Sequence, residues 1–349
     1  MAACSHPSRT RAASAVIILL AGVCAPWLMA ADAGPSSAWT VAALKQEAEA
    51  LRGLVRTAWV KEFLGGAASL PSIPTRTLLH DAGKTRFYSE AEAARLSETE
   101  RAALEPIEVD EEFYYNTRYG TPLAYARPLD LLGRRGFSPS GRKILDFGFG
   151  GIGQLRLLAR MGASTVGIEV DPMTRALYSW PGDQGTMTGP KGTEGSLRLV
   201  YGRFPAQASV KREAGEGYDL IVSKNVLKRG YIHPEKPVPE RQRIDLGVTD
   251  DEFVRALFAM LKPGGRVLIY NLSPAQNPPD KPYIPWADGR CPFERPVWKA
   301  VGFRIVEFDQ DDSAAARKMA HALQWDAGEQ PMNLEKDLFA HYTLAVKPD

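Results

Sequence analysis

ILDFGFGGIG, running from Ile144 to Gly153, is the stretch whose reading decides the fold. Its first half is a short apolar run that stops at glycines, the pattern of a buried strand over 143–147. The residues after it, 151–161, carry leucines at helical spacing. Gly148, Gly150 and Gly153 fit G-x-G-x-x-G at the junction. Glycine lets the backbone turn sharply and approach a ligand with no Cβ in the way. The helix start beyond it offers unpaired N–H groups to a polar or negative group. A second apolar run, 165–169, ends on Glu169, where a carboxylate is placed to accept hydrogen bonds from both hydroxyls of a ribose. Strand, loop, helix, strand and acid in that order mark a nucleotide-type cofactor site.

The loop alone fits a nicotinamide dinucleotide as well as a methyl donor. Three features separate them. Asp146 sits two residues before the first glycine, where a carboxylate suits a cationic ligand and works against a pyrophosphate. Leu261-Lys262-Pro263-Gly264-Gly265 joins a helix to a strand over 266–270. The sequence stops soon after the last strand pattern, so no second substrate domain is expected.

These residues resemble the class I S-adenosylmethionine-dependent methyltransferases. DFGFGGIG resembles their first motif, VGIEVDP with Glu169 their second, and LKPGGRVLIY their fifth-strand motif. The resemblance covers about 141–347. It implies an α/β fold, a doubly wound seven-stranded sheet that is mostly parallel with one antiparallel strand. It also implies S-adenosylmethionine as cofactor, its methionine part held by the Asp146–Gly153 loop and its ribose by Glu169. The chain departs from the family in two places. Gly202-Arg203-Phe204-Pro205, after the third strand, has no acid for the adenine amino group; Phe204 is open to stacking on adenine or to packing. Ser223-Lys224-Asn225-Val226-Leu227, after the fourth, is not the Asn-Pro-Pro-Tyr type of relatives that methylate bases or glutamine, which disfavours a nucleic-acid substrate.

Strand and helix patterns alternate from 141 to the end, and such alternation predicts a parallel sheet with helices on both faces. This region, 136–349, is the expected methyltransferase domain. Before it, 34–135 reads as a helical N-terminal extension and lid: a helix over 40–64, a second opening at the Ser89/Glu92 capping box, and an aromatic stretch. In that stretch Tyr114, Tyr119 and Tyr125 are candidate walls over a ligand and Arg118 a candidate anion clamp, against the plainer reading of helix packing. Residues 1–33 join basic Arg9 and Arg11 to an apolar run and small residues, as a signal peptide or membrane anchor does. Such a segment places the protein outside the cytoplasm or on a membrane; translation from Met29 instead leaves it cytoplasmic.

Composition narrows the function classes. The chain has 349 residues and a formal net charge of +2, with no basic run that marks a nucleic-acid partner. Beyond the leader only Cys291 remains, so no internal disulfide is expected. The histidines lack zinc-ligand spacing, and Asp309, Asp311 and Asp312 have no evident co-ligands, so no metal is expected. Methyl transfer from a sulfonium needs alignment first and a base only where the acceptor must lose a proton. His233 is the candidate base, and Asn225 a candidate cofactor contact or a strand-end turn residue. The cations of 224–233 suit an anionic acceptor or form a solvated loop. The expectation is methyl transfer to a small-molecule acceptor. The rivals are an NAD(P)-dependent oxidoreductase and a non-catalytic exported protein of the same fold, since an exported enzyme would not meet the cytosolic methyl donor.

Overall fold

The computed structural model describes residues 41–117, 120–190, 192–327 and 331–349. The leader segment, Arg118 and Tyr119 lie outside them. No helix among the described residues is long and apolar enough to cross a membrane.

The chain runs through β1 (Arg76–His80), β2 (Phe87–Ser89), β3 (Glu105–Val109), β4 (Lys143–Phe147), β5 (Ser164–Glu169), β6 (Gly185–Thr188), β7 (Glu194–Tyr201), β8 (Tyr218–Lys224), β9 (Leu261–Ser273), β10 (Arg304–Asp311) and β11 (Phe339–Val346). The last eight form one sheet in the order β10-β11-β9-β8-β4-β5-β7-β6. From β7 to β9 the five central strands are parallel, as buried apolar runs joined by helices must be. β11 slots antiparallel between β9 and β10, one place in from the edge. The expectation of seven strands with one antiparallel is corrected to eight with two. The extra strand is β6, which pairs antiparallel with β7 at the far edge. Its sequence, GTMT, buries only Met187, so it carries no legible alternation.

The chain leaves β4 outward through β5 and β7, then returns to lay β8 and β9 on the other side of β4. The strand order reverses between β4 and β8, and in open α/β sheets the crevice at that point, outside the carboxyl ends of the strands, is where ligands bind. Asp146 pairs in register with Val222 there.

Each sheet face has its own core. One is built on Leu145, Val166, Ile221, Phe253 and Trp298. On the other, Ile144, Leu220 and Leu268 share one buried cluster with Leu44, Leu51, Val60 and Phe63 of the N-terminal segment. That segment is not purely helical, contrary to the reading of 34–135. The expected single helix is two, Val41–Arg52 and Ala58–Gly66. They part where the Asp130 carboxylate accepts the backbone N–H groups of Arg56 and Thr57, each at 2.9 Å. Ser89 and Glu92 form the expected capping box, but the flanking residues make a three-stranded antiparallel sheet, β2-β1-β3. Pro106 sits inside β3, and an edge strand tolerates its missing N–H.

A buried carboxylate ties the segment to the sheet domain. Asp183 accepts from Arg76 at 2.7 and 3.0 Å, from the Tyr114 phenol at 2.7 Å and from Arg156 at 3.2 Å. A second tie is the Arg127 guanidinium, paired with Asp312, which also accepts from the Tyr270 phenol at 3.0 Å.

Candidate active site

Three charged side chains meet the switch point. Asp146 is the penultimate residue of β4, Glu169 ends β5 and Lys224 ends β8. All three are buried. Parallel neighbours in register place their carboxyl ends side by side, so strands that are far apart in sequence deliver these groups to one place.

The glycine loop spans the gap between the two acids. Gly148 has φ of +71°, and a Cβ there would lie 2.4 Å from the Val226 side chain, so turn and close approach both require glycine. Gly153 opens the helix Gly153–Arg160, where a Cβ would lie 2.8 Å from Pro122. The N-terminal segment therefore packs directly on the loop. Gly150 donates its N–H to Glu169 Oε2 at 3.2 Å, while Glu169 Oε1 accepts from Val170 at 2.7 Å and Asp171 at 3.3 Å. A carboxylate offers about four lone-pair sites, so one remains for a ligand hydroxyl. Burial raises the Glu169 pKa, and the backbone bonds oppose that rise.

Asp146 is satisfied by neutral donors alone. Tyr125 donates to Oδ1 at 3.2 Å and Gln154 to Oδ2 at 3.0 Å. Gln154 is fixed in turn by the Phe149 carbonyl at 2.9 Å. Burial pushes the Asp146 carboxyl up to about 7, against the two hydrogen bonds and the Lys224 charge. A buried acid that has only neutral hydrogen-bond donors is suited to a cationic partner.

The other expected site residues fall in different places. Asn225 has φ of +65°, and its Oδ1 accepts the Leu272 N–H at 2.7 Å, which ties the end of β8 to β9. His233 is 42% exposed at its side chain and lies 3.0 Å from Asp250, in the first turn of the helix Asp250–Met260. It is thus paired outside the Asp146 cluster. The segment 224–233 is not a solvated basic loop: Lys224, Lys228 and Tyr231 are buried, and Lys228 donates to the Leu272 carbonyl. Phe204 is core, edge-on to Phe147 and Phe253 at 6.2 and 6.1 Å, and so is not free to stack on a base. Tyr114 is likewise a packing residue, fully buried with its phenol on Asp183. Asp309 accepts from the Cys291 N–H, Asp311 from Ser313, and Asp312 from Arg127. Among the described residues no three His, Cys, Asp or Glu converge on a metal position. Burial pushes the Cys291 thiol up to about 12, which leaves it inert.

The glycine loop lies at the β4–β8 reversal, and the antiparallel strand β11 lies one place in from the sheet edge. The chain has an α/β fold with a mostly parallel central sheet that resembles the Rossmann-like methyltransferase fold. No family model and no curated protein matches its sequence. Among solved structures it is similar to a phosphoethanolamine N-methyltransferase of Haemonchus contortus in complex with S-adenosyl-L-methionine, at 12% identity over 79% of this chain and 69% of that one, TM-score 0.37. It is similar to the magnesium protoporphyrin IX methyltransferase of Synechocystis PCC 6803, at 13% over 65% and 83%, TM-score 0.34. It is also similar to the [4+2]-cyclase SpnF, at 17% over 64% and 81%, TM-score 0.38. Likeness at this level decides no activity.

Gln154 was not legible as a site residue, because a glutamine in the first turn of an apolar helix carries no signal of its own. Tyr125, a candidate wall or packing residue on its sequence, is a donor to the acid.

Proposed function

We propose that the chain is an S-adenosylmethionine-dependent methyltransferase acting on a small-molecule acceptor. The observation that carries this reading is the pairing of Asp146 and Glu169, two buried acids at the ends of adjacent parallel strands, on either side of the glycine loop. The residues fit the donor. Asp146, held by Tyr125 and Gln154, suits its α-ammonium group. Glu169 keeps acceptor capacity for a ribose hydroxyl, and Val170 beside it is 62% exposed, an apolar surface for a base. A pyrophosphate would meet Asp146 at close range, which argues against the dinucleotide rival.

When bound, the cofactor supplies an electrophilic methyl group on a sulfonium. The chain's own contribution is alignment and exclusion of water. Tyr125 and Gln154 fix the carboxylate that positions the donor. Pro122, packed on Gly153, and Tyr125, bonded to Asp146, bring the N-terminal segment over the loop. A small acceptor fits a site under such a cover better than a nucleic acid does.

Calorimetric titration with S-adenosylmethionine, S-adenosylhomocysteine and NAD tests the reading. The first two bind, and Glu169→Ala weakens both. Binding of NAD alone refutes it, and binding of none of the three leaves the fold without this cofactor.

A further inference from the structure

At the amino end of β9, the opposite end of the sheet from the glycine loop, Arg266 is a partly buried guanidinium with no acid to pair with. Its Nη1 is shielded from solvent and has no hydrogen-bond partner. Among the described residues it makes no ion pair, and its defined contact is the Phe137 ring, 5.9 Å from the centroid. The charges that act on it are Arg142, Arg135 and Arg304, all of its own sign. Burial, then these neighbours, hold its pKa below the usual arginine value. A shielded donor that neither water nor protein satisfies is costly, and like charges close by add to the cost.

The sheet explains why the arginines converge. Val346 of β11 pairs with Arg266 of β9 on one side and with Arg304 of β10 on the other. Directly opposed residues of antiparallel strands share a face, so Arg266 and Arg304 stand on the same face, about 10 Å apart at the backbone. Two arginine side chains can close that span around one tetrahedral ion. Arg135 reaches the same face from just past the helix Ala126–Gly133, bonded to Glu307 at 2.9 Å and to the Tyr342 phenol at 3.2 Å. Arg142 and Lys262 share Asp219, at 3.0 and 3.1 Å. Five cations thus gather with two paired carboxylates among them, Glu307 and Asp219. The surplus exceeds the charge of one phosphate group, about −2.

We propose that Arg266 and Arg304, with Arg135 and Arg142 around them, bind a phosphate group at the amino end of the sheet. A guanidinium presents paired N–H donors that match two oxygens of an oxyanion. An oxyanion on the open side draws Arg266 out of its shielded position, and no hydrogen bond of Nη1 is broken in doing so. The inference goes beyond the methyltransferase reading and does not depend on it. The phosphate has two sources, a soluble phosphate compound or a lipid headgroup.

The experiment titrates full-length wild type, Arg266→Met and Arg304→Met calorimetrically with inorganic phosphate, against sodium chloride of matched ionic strength. The same proteins are sedimented with phosphatidylcholine vesicles, with and without phosphatidic acid. Wild type binds phosphate, and each variant loses about tenfold or more in affinity, the scale of a charge-assisted hydrogen bond. Phosphate also raises the wild-type melting temperature more than that of either variant, which separates binding from the general stabilisation that phosphate gives any protein. Without phosphate Arg266→Met melts at or above wild type, since a shielded, unpaired charge is gone. Arg304 is exposed, so Arg304→Met folds as wild type does and decides the matter if Arg266→Met does not fold. Arg266→Lys, which keeps the charge but not the planar fork, retains only part of the affinity. Phosphate binding without vesicle binding assigns a soluble phosphate compound. Vesicle binding that needs phosphatidic acid and both arginines assigns the headgroup. Binding that is equal in all three proteins, or absent from wild type for phosphate and vesicles alike, overturns the proposal.

Discussion

The Tyr125 phenol donates to Asp146 Oδ1 at 3.2 Å, so a residue of the N-terminal segment holds the carboxylate at the centre of the site. Tyr125 comes from the turn Pro122–Tyr125, and Asp146 from the first strand of the sheet domain. Cover and site are thereby one structure.

Tyr125→Phe isolates this bond. It keeps the ring over Lys224 and removes one of two donors to a buried acid. Urea unfolding is expected to show a loss of about 1–3 kcal/mol, the cost of an under-satisfied buried acceptor. Losing a bond that favours the charged form raises the Asp146 pKa further, so S-adenosylhomocysteine binds more weakly at neutral pH. An unchanged midpoint with unchanged affinity would remove Tyr125 from the site.

Affinity for a ligand whose ammonium sits on Asp146 depends on the ionisation of this one buried acid. Asp146 must be ionised to receive an ammonium, and burial holds its carboxyl up to about 7, so binding weakens as pH falls below that value. Stability of the empty protein runs the other way on the acid side. Asp146 has a folded pKa above its unfolded value of about 4, so the native state holds more protons between there and about 7, and this group's contribution falls as pH rises through that window. Titration with S-adenosylhomocysteine across this range, in wild type and Asp146→Asn, checks both. The variant loses the acid limb; a flat wild-type profile would sink the assignment.

What the sequence made legible is local. Asp146, the glycines and Glu169 announce themselves because an apolar run, a turn and a strand end are contiguous signals. The placement of β11 beside β9 is set by pairing across the whole domain, which no short window carries. β1 and β3 are five residues each, and Pro106 disguises the second. Lys224 and Lys228 read as part of a basic loop because charge along a chain normally means solvent; only the fold shows that the end of β8 is roofed by the N-terminal segment. His233 stood out as the lone histidine of that loop, yet its ring faces Asp250.

Asn225 separates a turn role from a ligand role. At φ of +65° a Cβ is strained, and its side chain also accepts the Leu272 N–H. Asn225→Ala is expected to lose about 2 kcal/mol, from left-handed strain plus the lost bond, and Asn225→Gly about 1 kcal/mol, from the bond alone. Both retain S-adenosylhomocysteine affinity within about threefold if the residue only builds the turn. A glycine variant of near wild-type stability that binds much more weakly would make Asn225 a cofactor contact.

Asp183 tests whether the N-terminal segment and the sheet domain are one cooperative unit. Its carboxylate is 1% exposed and joins Arg76 and Tyr114 from the segment to Arg156 and the Trp180 N–H of the domain. Arg76 also lies over the Tyr114 and Trp180 rings, at 4.7 and 4.4 Å. Asp183→Ala strands two buried guanidinium groups, at a cost of about 3–5 kcal/mol. Arg76→Met is milder, because Asp183 keeps Arg156 and the methionine fills much of the space between the rings. Both variants are expected to unfold in a single transition shifted to lower urea, with the order Asp183→Ala below Arg76→Met below wild type. Two separated transitions in either variant would show that the segment folds apart from the domain, and that Tyr125 is delivered to Asp146 only by a contact weaker than this buried cluster.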